Sequence, residues 1–262
     1  MTSPELAALL ETWAASLGLC AAGFQRNLGQ VRKRVVRRMR EIGVHTAAGY
    51  SARLKADPAE REVFDGLCRV TISRFFRDRP VFDALRPLVA ALSPERVRLW
   101  SAGCASGEEP YSLAALMEFG VRRGEYEILA TDVDPALIER ARRGVYRRSS
   151  LRELPTKWIE RGFEGKDPVT VRGALREHVR FAVQDLRREW PEGPFEVITC
   201  RNVAFTYFHP ALQRRVLGEL LRRIRPGGYL VIGGKESLPE ATWPLHPAGP
   251  SIFRTAAPGP AP

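Results

Sequence analysis

The sequence has no run of about 18 apolar residues free of charges and breaks, so no membrane span is expected. Residues 6–24 are rich in alanine and leucine. Glu5 and Glu11, however, stand where a secretory leader would carry basic residues. That stretch reads as a helix, and the expected location is cytoplasmic. Cysteine is scarce: Cys20, Cys68, Cys104 and Cys200 are scattered, with no C-x-x-C pair and no histidine at ligand spacing. This argues against a disulfide framework and a zinc site and predicts free thiols in a reducing compartment. The four histidines, His45, His178, His209 and His246, read as surface or turn residues. There is no internal repeat. With 44% hydrophobic and 27% charged residues, intrinsic disorder is excluded as the main state.

The 262 residues allow one large domain, or a main domain with a small companion. The net charge is +11, and only five of the 41 basic residues are lysine. A surface this basic suggests an acidic partner. Leu28, Val31, Val35, Met39 and Ile42 recur at helical spacing, and Gly43 ends that helix. The opposite face carries Arg26, Arg32, Lys33, Arg34, Arg37, Arg38 and Arg40, with no acid among them. Such a run is either a solvated face or a partner surface. No aromatic residues interleave it, which argues against single-stranded nucleic acid. Further helices are expected over Ala47–Leu54 and Ala59–Arg69. Beyond Pro94 the pattern alternates. Strands are expected at Val97–Trp100, Tyr126–Ala130, His178–Val183, Phe195–Thr199, Tyr229–Ile232 and Ser251–Thr255. Helices are expected at Glu109–Arg123, Pro135–Arg143 and Ala211–Ile224. This predicts a doubly wound, mainly parallel α/β sheet. Residues 145–177 read as irregular, with a hairpin around Val169–Arg172. The expected domains are a helical one over 1–75 and an α/β one over 76–256, with a small insertion at 145–180 and a flexible tail at 257–262.

The first strand runs into Ser101-Ala-Gly103-Cys-Ala-Ser-Gly107-Glu-Glu-Pro110. Glycines allow a tight turn and close backbone approach to a ligand, and Pro110 suits a first helical turn. The spacing is neither G-x-G-x-x-G nor a P-loop. Glu108 and Glu109 stand where a phosphate would bind and would repel it. A cationic ligand without phosphate fits better, and S-adenosylmethionine is one. Asp132, ending the second strand, suits both ribose hydroxyls, and Asp185, after the third, suits an adenine amino group. Taken singly, a glycine turn serves structure as readily as a ligand, and an acid after a strand serves as a helix cap. The ordered set points to the cofactor.

Five stretches then become specific: Ser73-Arg-Phe-Phe-Arg77-Asp; Gly103-Cys-Ala-Ser-Gly-Glu-Glu-Pro-Tyr-Ser112; Ala130-Thr-Asp-Val-Asp134 with Gly144-Val-Tyr146; Cys200-Arg-Asn-Val203 with Tyr207-Phe208; and Pro226-Gly-Gly with Glu236-Ser-Leu. In these the chain resembles the CheR family of chemotaxis receptor glutamate methyltransferases, from about residue 24 to 254. The resemblance implies a class I methyltransferase-like fold and methyl transfer from S-adenosylmethionine to receptor glutamates. It implies cofactor contacts from Thr71, Ser73 and Arg77. It assigns amino and ribose groups to Glu108 and Asp132, with Gly103 in the turn. Asp185, Leu186, Cys200 and Arg201 would line the adenosyl side. Arg77 and Tyr207 would lie nearest the methyl as the catalytic pair. The helix around Arg32–Arg40 would dock on the acidic helical cytoplasmic region of a receptor. Departures from the family pattern are Asp185 where Asn is usual, one extra residue between Asn202 and Tyr207, Gly233-Gly-Lys-Glu236-Ser in place of Gly-His-Ser-Glu-Ser, and a short 145–180 segment. Two alternatives stand beside this reading: another adenosylmethionine-dependent methyltransferase, acting on RNA or a small molecule, and a non-catalytic module that senses the cofactor.

Overall fold

The computed structural model describes residues 1–92, 95–121 and 125–256. The expected tail and the end of the helix foreseen to Arg123 lie outside them. The chain divides into two compact units, Met1–Thr71 with Thr206–Gln213, and Ile72–Phe205 with Arg214 onward.

The first unit is helical. Helix α1 spans Ser3–Trp13, α2 Leu28–Glu41, α3 Ala47–Ala56 and α4 Pro58–Cys68. Thr2 caps α1 in a reciprocal pair with Glu5, and Asp57 caps α4 by accepting from Ala59 N at 2.9 Å. The expected helix over 6–24 is instead α1 followed by two 3-10 turns, Ala15–Leu17 and Ala21–Asn27. Two glycines break it. Gly18 is left-handed (φ +70°), and a Cβ on Gly23 would stand 2.1 Å from the Thr206 carbonyl oxygen. The predicted face of α2 is inside, with Val31, Val35 and Met39 buried.

The α/β unit holds a seven-stranded sheet: β1 Arg96–Ala102, β2 Glu125–Asp132, β6 Val179–Val183, β7 Phe195–Cys200, β8 Ile224–Ile232, β9 Leu245–Gly249 and β10 Ile252–Thr255. The order is β6-β2-β1-β7-β8-β10-β9. The first five run parallel, and β10 pairs antiparallel to β8 and β9. This is the class I methyltransferase-like doubly wound sheet. The remaining helices are α5 Arg79–Ala90, α6 Glu108–Ala115, α7 Pro135–Arg143, α8 Thr156–Gly162, α9 Gly173–Arg176, α10 Ala204–Tyr207 and α11 Pro210–Arg223, of which Thr206–Gln213 count with the first unit. The short strands β3 Val145–Tyr146, β4 Phe163–Glu164 and β5 Val169–Val171 form a second antiparallel sheet, ordered β3-β5-β4. The segment read as irregular therefore carries a hairpin plus a third strand. Past α6 the helix widens into a π-turn over Leu116–Val121.

Prolines hide two of the elements that the sequence pattern misses. Helix α5 contains Pro80 and Pro87, yet Val81, Phe82, Leu85 and Val89 bury one face of it. Strand β9 contains Pro247, which an edge strand tolerates because one side of it needs no donors.

Candidate cofactor and methyl-transfer site

Strand order reverses between β1 and β7, where parallel sheets open a crevice at their carboxyl ends. The loops there carry most of the expected site. After β1, Gly103 N and Cys104 N both donate to the Thr131 carbonyl, at 2.8 and 2.9 Å. Asp132 ends β2, and its Oδ2 accepts from Ala105 N at 2.9 Å and its Oδ1 from Asp134 N at 3.0 Å. Asp132 thus sets the glycine loop against the end of the second strand. Gly103 (φ +80°) has no room for a side chain, because a Cβ would stand 2.6 Å from Val203 Cγ2. At Gly107 (φ +94°) a Cβ would stand 2.7 Å from the Tyr146 hydroxyl. A backbone turn this close, flanked by acids and without a phosphate-binding lysine, suits the ribose and amino groups of S-adenosylmethionine.

The two glutamates of the motif part company. Glu108 is 3% exposed and accepts from Ser106 Oγ at 2.8 Å in the first turn of α6, where the helix dipole favours a carboxylate. Glu109 turns toward the sheet. Its Oε1 accepts from Ser101 Oγ (2.8 Å) and Thr199 Oγ1 (2.6 Å), and its Oε2 from Arg201 Nη1 (3.0 Å). Arg201 also reaches Asp78 Oδ2 (2.9 Å) and the Arg77 carbonyl (2.6 Å) and lies over the Phe82 ring. Its side chain is 2% exposed, and the adjoining Cys200 is fully buried. These two side chains face protein on all sides, so they support the loops rather than offer surface. Burial pushes the Cys200 and Cys104 thiols up, so neither is a nucleophile at neutral pH.

Arg77 sits on a strained turn. Phe76 (φ 51°) and Asp78 (φ 62°) on either side are left-handed, which is costly for a bulky residue. Ser112 Oγ, accepting from Phe76 N at 2.9 Å, and the packing of Phe76 on Phe82 at 4.5 Å hold it. The guanidinium donates to the Ile72 carbonyl (2.7 Å) and to Asn202 Oδ1 (3.1 Å). Ser73, just before this turn, is half-buried.

Asp185 follows β6, with Leu186 buried beside it. Arg187 grips its carboxylate from Nε (3.0 Å to Oδ1) and Nη2 (3.0 Å to Oδ2), and Arg187 N adds a third donor at 2.9 Å. Burial raises the Asp185 carboxyl, but the hydrogen bonds and charge of Arg187 outweigh it, so it lies below its ordinary value. The group is an anion already paired within its own loop.

Thr71 and Tyr207 belong to the helical unit. There Tyr207 is half-buried, accepts from Asn27 Nδ2 at 3.1 Å and packs against Phe24 at 5.1 Å. Sequence reasoning missed that Asn202 meets Arg77 and that Glu236 meets the Asn202 backbone. Both stood within quoted motifs, and no periodicity marks a loop residue whose partner is remote. From the residues alone Glu108 and Glu109 read as one feature, and only the family resemblance singles out Glu108. Among the described residues no cluster of metal-binding side chains occurs, and no helix is long and apolar enough to cross a membrane.

The family described as CheR methyltransferase, SAM binding domain, matches residues 71–249. A chemotaxis protein methyltransferase of Listeria monocytogenes is 34% identical over 85% of this chain and 86% of its own. One of Klebsiella aerogenes is 33% identical over 90% of this chain and 84% of its own. Among solved structures, the N-methyltransferase NodS of Bradyrhizobium japonicum, in complex with S-adenosyl-L-homocysteine, covers 60% of this chain and 61% of that chain at 17% identity and a TM-score of 0.37, a likeness too slight to bear on the assignment. With a family match over most of the α/β unit and relatives at this identity over nearly its whole length, the chain belongs to the CheR family of S-adenosylmethionine-dependent methyltransferases.

Proposed function

We propose that this enzyme esterifies glutamate side chains on the acidic, helical cytoplasmic region of a chemoreceptor-like protein, acting in the cytoplasm. The observation that carries the reading is the pairing of two features at the carboxyl edge of one sheet. One is an acid-flanked glycine turn suited to a cationic nucleoside. The other is an arginine, Arg77, pinned by Ile72 O and Asn202 Oδ1 as a fixed cation for a carboxylate.

The cofactor supplies, when bound, a methyl group on a positively charged sulfur. A glutamate oxygen would bond to that methyl carbon as the carbon–sulfur bond breaks, the electron pair leaving with sulfur. The products are a glutamate methyl ester and S-adenosylhomocysteine. A glutamate with a solution pKa of about 4.3 is already ionised at pH 7, so no general base is needed. The chain's work is therefore binding, orientation and exclusion of water. In this reading Asp132 and Glu108 hold the ribose and amino groups at the Gly103 turn. Thr71, Ser73 and Arg77 contribute from the segment that precedes α5, and Asp185, Leu186, Cys200 and Arg201 define or support the adenosyl side. Arg77 orients the reacting groups. Too tight a pair between Arg77 and the attacking carboxylate would stabilise the ground state more than the transition state, so Arg77 acts chiefly by position.

The basic helix supplies the docking surface, through fewer residues than its composition suggests. Arg38 pairs with buried Glu60 at 2.6 Å, Arg34 donates to the Arg69 carbonyl, and Arg32 reaches the Met1 carbonyl at 3.2 Å. Lys33, Arg37 and Arg40 remain exposed at helical spacing, around a shallow concavity that Val36 also lines. These three, with exposed Arg26, make the face that would meet an acidic helix. We further assign residues 1–75 to a receptor-docking domain and 76–256 to the methyltransferase domain.

Incubation with methyl-labelled S-adenosylmethionine and a receptor cytoplasmic fragment, followed by base, tests the reading. Glutamyl esters release volatile labelled methanol, whereas N-methyl groups do not. Base-stable label, or cofactor binding without any transfer, would overturn it in favour of another acceptor or a sensing module.

A further inference from the structure

Glu236 lies in the turn after β8, outside every contact argued above for cofactor or substrate. Its Oε2 accepts from two backbone amides, Asn202 N at 2.7 Å and Gly233 N at 2.6 Å. One carboxylate oxygen therefore ties the loop after β7 to the loop after β8. Both ends of the tie are built for it. Asn202 is left-handed (φ 58°), a conformation asparagine tolerates better than most residues but still adopts only where its surroundings hold it. Gly233 leaves no space for a side chain, since a Cβ there would stand 2.7 Å from Glu236 Oε2 and 3.0 Å from Asn202 Oδ1. The consequence reaches Arg77. With its backbone fixed, Asn202 aims Oδ1 at Arg77 Nη2 (3.1 Å), while Arg201 holds the Arg77 carbonyl from the other side.

The geometry points to Glu236 as a positioning residue for methyl transfer: its carboxylate fixes the left-handed turn at Asn202, and that turn orients the Arg77 guanidinium. The inference rests on the reading of Arg77 given above as a group that orients the reacting atoms. A half-buried carboxylate accepting from two amides makes stronger hydrogen bonds than a neutral acceptor, and a displacement of about 1 Å at a group that sets geometry can cost about 100-fold in rate. Glutamine at 236 retains an oxygen that can accept from both amides. Alanine removes it and leaves two amides without their acceptor.

The test uses the full-length protein. Side-chain Nε–H relaxation of Arg77, assigned by loss of its signal in Arg77→Lys, reports the guanidinium's order whatever the substrate proves to be. In Glu236→Ala the Arg77 signal is expected to lose order, and in Glu236→Gln to keep it. Receptor methylation then gives the kinetic half. Glu236→Ala should lower kcat by about 10- to 100-fold and weaken cofactor affinity by a smaller factor. Glu236→Gln should recover most of the rate, and Glu236→Ala/Arg77→Ala should be no slower than Arg77→Ala alone. An Arg77 signal equally ordered in both Glu236 variants would overturn the inference, as would rate losses that multiply in the double variant. Failure of the receptor reading itself shows separately, as wild-type protein that yields no base-labile label while the Arg77 signal still responds to Glu236.

Discussion

Replacing Glu109 by glutamine should cost stability, whereas the same change at its neighbour Glu108 should cost cofactor affinity. Glu109 accepts two hydroxyls and one guanidinium nitrogen, and its partner Arg201 is 2% exposed. Glutamine keeps the shape and can still accept from Ser101 and Thr199, but it turns an amide donor toward the Arg201 nitrogen and removes the charge. Breaking a buried ion pair from one side costs about 3–5 kcal/mol, because the remaining charge stays desolvated. Asp78, itself 35% exposed and 2.9 Å from Arg201, compensates part of that charge, so the low end of the range, about 3 kcal/mol, is expected. Glu108→Gln keeps its bond from Ser106 and should change stability by less than about 1 kcal/mol. Urea unfolding at unchanged slope measures the first effect, and titration calorimetry with S-adenosylmethionine measures the second. A cycle pairing Glu109→Gln with Arg201→Met should show coupling of about 0.5–3 kcal/mol. If Glu109→Gln unfolds at the wild-type urea concentration and instead loses the cofactor, the division of labour between the two glutamates is wrong.

Asp132→Ala should weaken S-adenosylmethionine binding by roughly 10- to 100-fold, the worth of hydrogen bonds to a charged acceptor, as read by the same calorimetry. Reversing Lys33, Arg37 and Arg40 to glutamate should raise KM for the receptor fragment and flatten its salt dependence while leaving cofactor affinity at the wild-type value; an unchanged KM would remove this face from docking. In the helical unit, hydrogen bonds from Arg38 hold the Glu60 carboxyl below its ordinary value, against the opposing effect of burial. Its contribution is therefore present above the unfolded value of about 4.3 and is lost as pH falls through the lower folded one. Glu60→Gln should be the less stable protein at pH 7, with the gap closing below about pH 4; a gap that persists in acid would refute the pairing. Thiol titration of the native protein should label Cys20 first, since Cys68, Cys104 and Cys200 are buried.

Much of this architecture is legible in the sequence because local pattern and final environment agree. Helix α7 starts at Pro135 and ends at Arg143, as its periodicity predicts, with Asp134 capping one end and left-handed Gly144 closing the other. The central strands are short apolar runs because both faces are covered. Elements are missed where two rules conflict. Prolines hide α5, whose apolar stripe still decides its state, and Pro247 hides β9, which needs no donors on its free side. Glycine misleads in the other direction, since Gly18 and Gly23 cut a stretch whose composition favours a continuous helix. At the site, the glycine turn and Asp132 are recognisable because each stands at the end of a strand that the sequence pattern predicts. The roles of Glu109, Asn202 and Glu236 depend on partners far along the chain, such as Arg201 for Glu109, and no spacing rule encodes them. The basic helix likewise reads as seven equal charges, although Arg32, Arg34 and Arg38 are half-buried and committed to contacts inside the helical unit and Arg37 pairs with exposed Glu41.

The central claim is that this chain moves a methyl group from S-adenosylmethionine to a glutamate carboxylate at a site organised by Asp132 and Arg77. The most direct measurement is peptide mapping by mass spectrometry of a receptor cytoplasmic fragment after incubation with the enzyme and deuteromethyl-labelled cofactor. The account predicts label on glutamate side chains, removed by mild base and absent with Asp132→Ala. Label on lysine, on arginine or on nucleic acid, or glutamate labelling that survives Asp132→Ala undiminished, would contradict it.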